Sequence, residues 1–302
     1  MAQGAAEPEI ACPGASYVPI GEMTQPRVSR GIRSIGGGDV AIRNLTLKIG
    51  DDGAVSPEEP PTVELRIDMW PFWLEEAIDA AVLACNFAAE IPALVEQLES
   101  AEDPPSIERD IDRFVISELK ASMRAITASA FAIDALYTSI KERSPKHPDQ
   151  DKWTQKRTAR HKQVTETFRY HLRIKKAASV EQMKRRVSEV FRFRDWAVHP
   201  GAKFRQPEYR DDLNVALDWH YVAFRRENAV GATALTVSLL DSLVEALNRG
   251  SDELATMKQY ARRRMDEILD IYEALDGFPP IGRAEPSVTT ETTPPSPQAS
   301  GP

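Results

Sequence analysis

Residues 111–140, IDRFVISELKASMRAITASAFAIDALYTSI, form the most regular stretch of this chain. Apolar side chains recur there at steps of three and four residues, the spacing that places them on one face of an α-helix. The stripe consists of Ile111, Val115, Leu119, Met123, Ile126, Ala130, Ile133, Tyr137 and Ile140. Ser106 is a suitable N-cap and Ser144-Pro145 a suitable end, so the pattern predicts one long helix between them.

Helical patterns continue on both sides of this stretch. A preceding helix is predicted to begin at Trp70 and to end or kink at Pro92, because proline interrupts the helical hydrogen bonds. The later helices are predicted at 164–174, at 180–198, at 209–247 with a break at Asn228 and Gly231, and through Leu254 to Ile271. The fold class predicted is therefore all-α, a helical bundle over residues 70–276.

The flanking segments have a different character. Residues 38–69 contain two β-like runs, 40–49 and 62–68, and form a predicted β-hairpin-like segment. In the second run Val63, Leu65 and Ile67 alternate with charged residues, which predicts a half-buried strand. Residues 1–37 and 277–302 are rich in Gly, Pro, Ser and Ala, a composition typical of disordered tails.

Composition excludes several classes of protein. The 302 residues include only two cysteines, too few for a disulfide framework or a multi-cysteine zinc site. The N-terminus lacks the features of a secretory signal, and no apolar run of about 20 residues indicates a membrane span. Nucleotide-binding and serine-hydrolase motifs are absent. These observations predict a cytoplasmic protein that uses no metal or other cofactor and does not enter a membrane.

Charge is distributed unevenly along the chain. The formal net charge is −8, yet residues 152–210 contain 17 basic and 5 acidic residues, a local net of +12. Such a segment indicates a polyanionic partner or, alternatively, a solvated face that meets acidic parts of the same chain. The cations predicted to contact nucleic acid are Lys175, Lys176, Arg185, Arg186 and Arg192.

The most specific local signal is RDWAVHPG at residues 194–201. Arg194 falls on the apolar stripe of its helix, and a guanidinium there requires an anion or several acceptors. His199 precedes a proline, so the helix should end at or before it. An imidazole at that position can exchange protons near neutral pH. Arg194 and His199 together supply an oxyanion stabiliser and a general acid or base.

The Arg-Asp-x-x-x-His string resembles the Rx4–6H motif of the HEPN superfamily, helical-bundle proteins that include many metal-independent endoribonucleases. The resemblance covers residues 106–248 and includes the long apolar helix. It implies that His199 is the catalytic acid or base, that Arg194 stabilises the scissile phosphate and that Asp195 orients one or both. Arg192 also fits the spacing and is the second choice for the arginine.

The resemblance further implies an RNA substrate, a homodimer and, for the toxin and defence members of the family, an antitoxin protein as partner. The alternative function is a non-catalytic helical interaction or RNA-binding module. In that case Arg194 and His199 are cations favoured at a helix C-terminus by the helix dipole. The basic connector before the motif mixes cations with aromatic residues such as Trp153 and His161, a combination that suits flexible single-stranded RNA. On its own the connector is interpreted as a solvated basic face.

Overall fold

A computed structural model describes residues 38–43, 46–50, 53–58, 62–98, 100–199 and 205–283. The predicted tail 1–37 and the last 19 residues of the predicted tail 277–302 lie outside the described residues. The chain divides into two compact units between Ile67 and Asp68. This boundary falls two residues before the predicted end of the β segment.

The first unit contains two antiparallel pairs of strands. β1 (Gly38–Arg43) pairs with β4 (Thr62–Ile67), and β2 (Leu47–Ile49) pairs with β3 (Val55–Pro57). The prediction of a half-buried strand is wrong for β4, because Leu65 and Ile67 are 42% and 47% exposed. A two-stranded ribbon has no second layer of its own that could cover either face.

The second unit is helical, and the fold is all-α with a small N-terminal β segment, as predicted. Its elements are α1 (Trp70–Leu98), α2 (Pro104–Glu142), α3 (Gln150–Gln155), α4 (Arg160–His171), α5 (Ala177–Val198), β5 (Glu208–Arg210), β6 (Val215–Leu217), α6 (His220–Ala223), α7 (Arg226–Glu245), a 3₁₀ turn (Ala246–Arg249) and α8 (Asp252–Glu273).

The predicted stripe of α2 lies at the centre of the bundle. Ile126, Ile133 and Ile140 are fully buried, as the period of three and four requires. The helices around α2 contribute the rest of the main core through large side chains, among them Trp70, Leu74, Phe168, Val187, Phe191, Leu240, Ile268 and Tyr272. This packing fixes α5, which carries most of the predicted site residues, relative to α4 and α7.

Of the two alternatives predicted at Pro92, an end or a kink, the end is wrong, because the helix continues to Leu98. A proline inside a helix costs about 3 kcal/mol. Beyond it, Leu94, Val95 and Leu98 pack against a small core that includes Ile111. Burial of each such side chain stabilises by about 1.5–3 kcal/mol when it is complete, which offsets the cost of the proline.

The predicted helix over 209–247 is wrong in its first part, where β5 and β6 form a hairpin. Its turn contains Asn214 with φ +52°, a left-handed conformation that asparagine tolerates. The hairpin is tied to the bundle because Arg210, 1% exposed, donates to Glu118 at 2.5 Å. The predicted break at Asn228 and Gly231 is wrong, because both residues lie inside α7.

Part of the predicted C-terminal tail is ordered. Phe278 packs against the main core, and Tyr272 donates a hydrogen bond to the carbonyl of Pro279 at 3.0 Å. Arg283 forms ion pairs with Asp270 and Glu273 of α8. Residues 277–283 therefore extend the bundle, since Phe278 gains an apolar environment that composition alone does not predict.

Two stretches have the length and apolar composition of a membrane span: α1, and α7 together with the 3₁₀ turn. Their most apolar windows are 33% and 61% buried within the fold. Helices α2 and α8 pack against both α1 and α7. By length and composition alone, the prediction that no apolar run resembles a membrane span is wrong for these two stretches.

Candidate nucleic-acid interface

Helix α5 carries most of the predicted site. Its first part is anchored by Met183, Val187 and Val190, which are buried on the predicted stripe. Its last turn emerges from the core, so the side chain of Arg194 is 24% exposed although it continues the stripe. The helix ends at Val198, with His199 as the C-cap. The Pro200 signal therefore predicted the helix end correctly.

The structure brings Arg194 and Asp195 together. The Nε and Nη2 atoms of Arg194 donate to Asp195 Oδ1 at 3.0 and 2.5 Å. The guanidinium carbon also lies 4.8 Å from the ring centroid of Phe191, a cation–π contact. The anion that Arg194 was predicted to require is therefore its own neighbour in sequence.

The imidazole of His199 is exposed to solvent. Its backbone N–H donates to the carbonyl of Asp195 at 2.8 Å, which closes the last helical turn. Among the described residues, its ring forms no hydrogen bond or ion pair with Arg194 or Asp195. Residues four apart share a helix face, so Asp195 and His199 lie on one side of α5. Arg194 is rotated by about 100° from that side.

Three of the predicted nucleic-acid-binding cations meet in one groove. Lys175, Lys176 and Arg186 line a cavity of about 450 Å³ between the start of α5 and the end of α7, together with Arg249. We call this cavity the basic groove. Lys175, Lys176 and Arg249 are exposed and form no ion pair within the described part of the chain. Arg186 donates to Ser238 at 3.3 Å.

One carboxylate is found among the described residues that line the basic groove. It belongs to Glu245, which forms an ion pair with Lys258 of α8 at 2.7 Å. Lys258 compensates that negative charge from outside the groove. The cations of the basic groove therefore leave a net positive charge that faces solvent.

Arg185 faces the opposite side of α5. It lines a second cavity, of about 630 Å³, between α3, α4 and α5, with Trp153, His161, Lys162 and Lys184. We call this cavity the aromatic groove. Trp153 and His161 are partly buried at the edge of this open groove, whereas residues 154–157 of the connector are exposed, as a solvated face requires.

Arg192 lies on the same side of α5 as Arg185, closer to the C-terminus of the helix. It is exposed, and its guanidinium carbon lies 5.2 Å from the ring of Trp196 and 5.8 Å from that of Phe193. Steps of seven, seven and four residues along α5 connect positions 181, 188, 195 and 199. These four positions therefore share one face of the helix. Asp195 and His199 thus lie on the same side of α5 as Glu181 and Ser188, which line the aromatic groove. The distance from Ser188 to Asp195 is about 10 Å along the helix.

His220 lies outside the predicted site and has a carboxylate partner, Asp218. The Nδ1 atom of His220 forms a short hydrogen bond with Asp218. The backbone N–H of His220 binds the same carboxylate and lowers the pKa of Asp218. The Nε2 atom is buried and has no hydrogen-bond partner within the described residues. The side chains of His220 and Asp218 are nevertheless 27% and 55% exposed, so solvent reaches the pair from the side of Nδ1.

The residues described contain no group of three or more His, Cys, Asp or Glu side chains positioned to hold a metal ion. Comparison of the chain with protein-family models, curated proteins and solved structures gives no match. The resemblance to the HEPN superfamily therefore stays a prediction that rests on residues 194–199 and the helical fold.

The buried histidines beneath the aromatic groove predict a pH dependence of stability. Burial lowers the pKa of His147, and burial together with the neighbouring His147 lowers the pKa of His171. The unfolded chain, with histidine pKa values near 6.5, then binds protons that the folded chain does not. We expect the free energy of unfolding to be maximal above pH ~6.5 and to fall as the pH is lowered towards ~5.5.

Urea unfolding followed by circular dichroism over this pH range measures the effect. His147→Gln should reduce the slope of stability against pH, because one of the two histidines is removed. Carboxyl groups titrate mainly below pH ~5 and contribute little in this window. A free energy of unfolding that rises on acidification from pH ~7.5 to ~5.5 would contradict the assignment.

Proposed function

We propose that this protein binds RNA through the two grooves that flank α5. The observation that carries the proposal is the basic groove. Lys175, Lys176, Arg186 and Arg249 line a single cavity there, and its carboxylate, Glu245, is paired with Lys258. Cations held in this way bind a polyanion by neutralising its phosphates and releasing condensed counterions.

The charge of the rest of the chain also favours binding of RNA next to α5. Outside residues 152–210 there are 21 basic and 41 acidic residues, a net charge of −20. A polyanion is repelled by that remainder and attracted to α5. RNA is the polyanion that the HEPN resemblance favours, and the homodimer and the antitoxin that it also implies stay predictions.

Charge reversal tests this proposal. Changing Lys175, Lys176, Arg185 and Arg186 to Glu should weaken binding of all RNA sequences alike by at least about tenfold, because phosphate contacts carry no base information. Affinity of the wild-type protein should also fall steeply with salt, with a slope of about −0.7 per phosphate contact on a single strand. Fluorescence anisotropy with labelled RNA at several salt concentrations measures both effects.

A control variant with the same change in net charge separates local contacts from overall repulsion. The control reverses four exposed cations outside both grooves, namely Arg109, Arg113, Lys120 and Arg263. It should retain most of the affinity. If the two quadruple variants lose affinity equally, or if binding is insensitive to salt, the assignment of the interface to α5 is wrong.

A second candidate function is metal-independent cleavage of the bound RNA. One observation favours it: Asp195 and His199 are exposed on the side of α5 that carries Ser188 of the aromatic groove, and Asp195 binds Arg194. A strand that continues from that groove along α5 for about 10 Å would reach an imidazole able to transfer protons, next to the carboxylate that holds the Arg194 guanidinium. Incubation of labelled RNA with wild type and His199→Ala tests this candidate.

A further inference from the structure

The aromatic groove differs from the basic groove in its chemistry. Trp153 and His161 offer ring surfaces in it, and Lys184 and Arg185 offer positive charge. Its volume of about 630 Å³ lies within the range of about 300–1,000 Å³ typical of small-ligand sites. A cavity with these walls accommodates a planar group attached to an anionic chain.

The indole of Trp153 is held in place by a contact with His147. It stacks on the imidazole of His147, with the ring centroids 4.6 Å apart and the planes inclined by 27°. His147 is itself 5% exposed, and its Nδ1 atom accepts a hydrogen bond from the backbone N–H of Asp149 at 3.0 Å. Because these contacts restrain the indole before any ligand arrives, stacking on it costs little conformational entropy.

Charges of both signs line the aromatic groove. Lys184 and Arg185 are exposed and form no ion pair within the described residues. Glu181 and Glu166 also line the groove, and Glu166 is held by Arg169 at 2.6 Å. Carboxylates do not favour the binding of phosphate alone. The edge of a nucleobase, in contrast, presents hydrogen-bond donors that carboxylates can bind and acceptors that Lys184 and Arg185 can bind.

We propose that the aromatic groove holds one unstacked base of single-stranded RNA. The base stacks on Trp153, and the adjacent phosphates are bound by Lys184 and Arg185. This inference rests on the proposed RNA-binding function and adds the class of RNA to it. Bases in a duplex are already paired and stacked, so they do not enter such a groove. The protein should therefore prefer single strands to duplexes of equal length.

Stacking on an aromatic side chain contributes about 1–3 kcal/mol per base. Trp153→Ala should thus weaken binding of a fluorescein-labelled single-stranded RNA 10-mer about 5- to 150-fold. Binding of the same strand annealed to its complement should not change. Trp153→Phe should retain most of the affinity, because it keeps an aromatic face. Tyr209→Ala removes an aromatic residue, 61% exposed, that lies outside the groove and should have no effect.

A second measurement needs no change in the protein. A ribose-phosphate 10-mer without bases has the same charge as the RNA 10-mer and offers nothing to stack. Wild type should bind it more weakly than RNA by a factor similar to the Trp153→Ala effect, and Trp153→Ala should bind both alike. Even if Trp153→Ala fails to fold, as judged by circular dichroism, equal binding of the two 10-mers by wild type overturns the inference.

The outcomes distinguish the inference from the function on which it rests. If wild type binds none of these RNAs, the proposed function fails and the inference fails with it. If wild type binds single strands, duplexes and the abasic chain equally, and the charge reversal at Lys175 and Lys176 weakens all three, RNA binding stands. In that case only the base-binding role of the aromatic groove is overturned.

Discussion

Replacing His199 with alanine is expected to reduce RNA cleavage by about 10²–10⁴-fold, the usual contribution of a general acid or base. The imidazole is exposed at the C-cap of α5, on the same side as Asp195, where it can take a proton from an attacking 2′-hydroxyl. Arg194→Lys should also lower cleavage strongly, because lysine keeps the charge but loses the planar fork. Gel analysis of end-labelled RNA over time measures both rates.

Structural effects of these substitutions are separable from catalytic ones. A histidine at a helix C-terminus contributes at most about 2 kcal/mol, so His199→Ala should retain its helical circular dichroism spectrum. RNA with 2′-deoxy nucleotides should resist cleavage, and a chelator should not inhibit. Cleavage by His199→Ala at the wild-type rate would exclude this mechanism. If wild type does not cleave RNA, the non-catalytic RNA-binding function stands alone.

The largest expected effect on stability is that of Arg210→Met, which should lower the free energy of unfolding by about 3–5 kcal/mol. The side chains of Arg210 and Glu118 are each 1% exposed, and they pair at 2.5 Å. Removal of the guanidinium leaves the Glu118 carboxylate buried and without its compensating charge. Urea unfolding monitored by circular dichroism measures the loss.

Two further variants test the cause. Glu118→Gln combined with Arg210→Met removes the buried charge and keeps an amide oxygen for the backbone N–H of Arg226, which donates to Glu118 at 2.9 Å. This double variant should be more stable than Arg210→Met alone. Lys146→Met breaks an ion pair with Asp151 whose side chains are 60% and 72% exposed, and it should cost less than about 1 kcal/mol. Equal losses for Lys146→Met and Arg210→Met would contradict the account.

Local signals predicted the long helices well. The stripe of α2 and the apolar positions of α8 from Leu254 to Ile268 follow a helical period, and burial of most of them confirms it, whereas Ile271 is 49% exposed. The end of α5 at Val198 follows from Pro200, which restricts the residue before it. These features depend on neighbours within one or two turns, so they are encoded in short stretches of sequence.

The prediction was wrong where a local sequence pattern competed with contacts between residues far apart in the chain. Pro92 normally ends a helix, yet α1 continues because its last turns pack against the start of α2. Residues 208–217 have an apolar pattern compatible with a helix, yet they form a hairpin that places Arg210 against Glu118, 92 positions away. Long-range burial outweighs local propensity in both cases.

The sequence by itself determined the all-α class, the helix α5 with Arg194, Asp195 and His199 at its end, and the concentration of positive charge between residues 152 and 210. Only the tertiary structure decided how that charge is divided. Arg185 and Arg186 are adjacent in sequence, yet they line grooves on opposite sides of α5. The physical reason is that a helix rotates its neighbours by about 100°, and the packing of α4 and α7 determines what each of them faces.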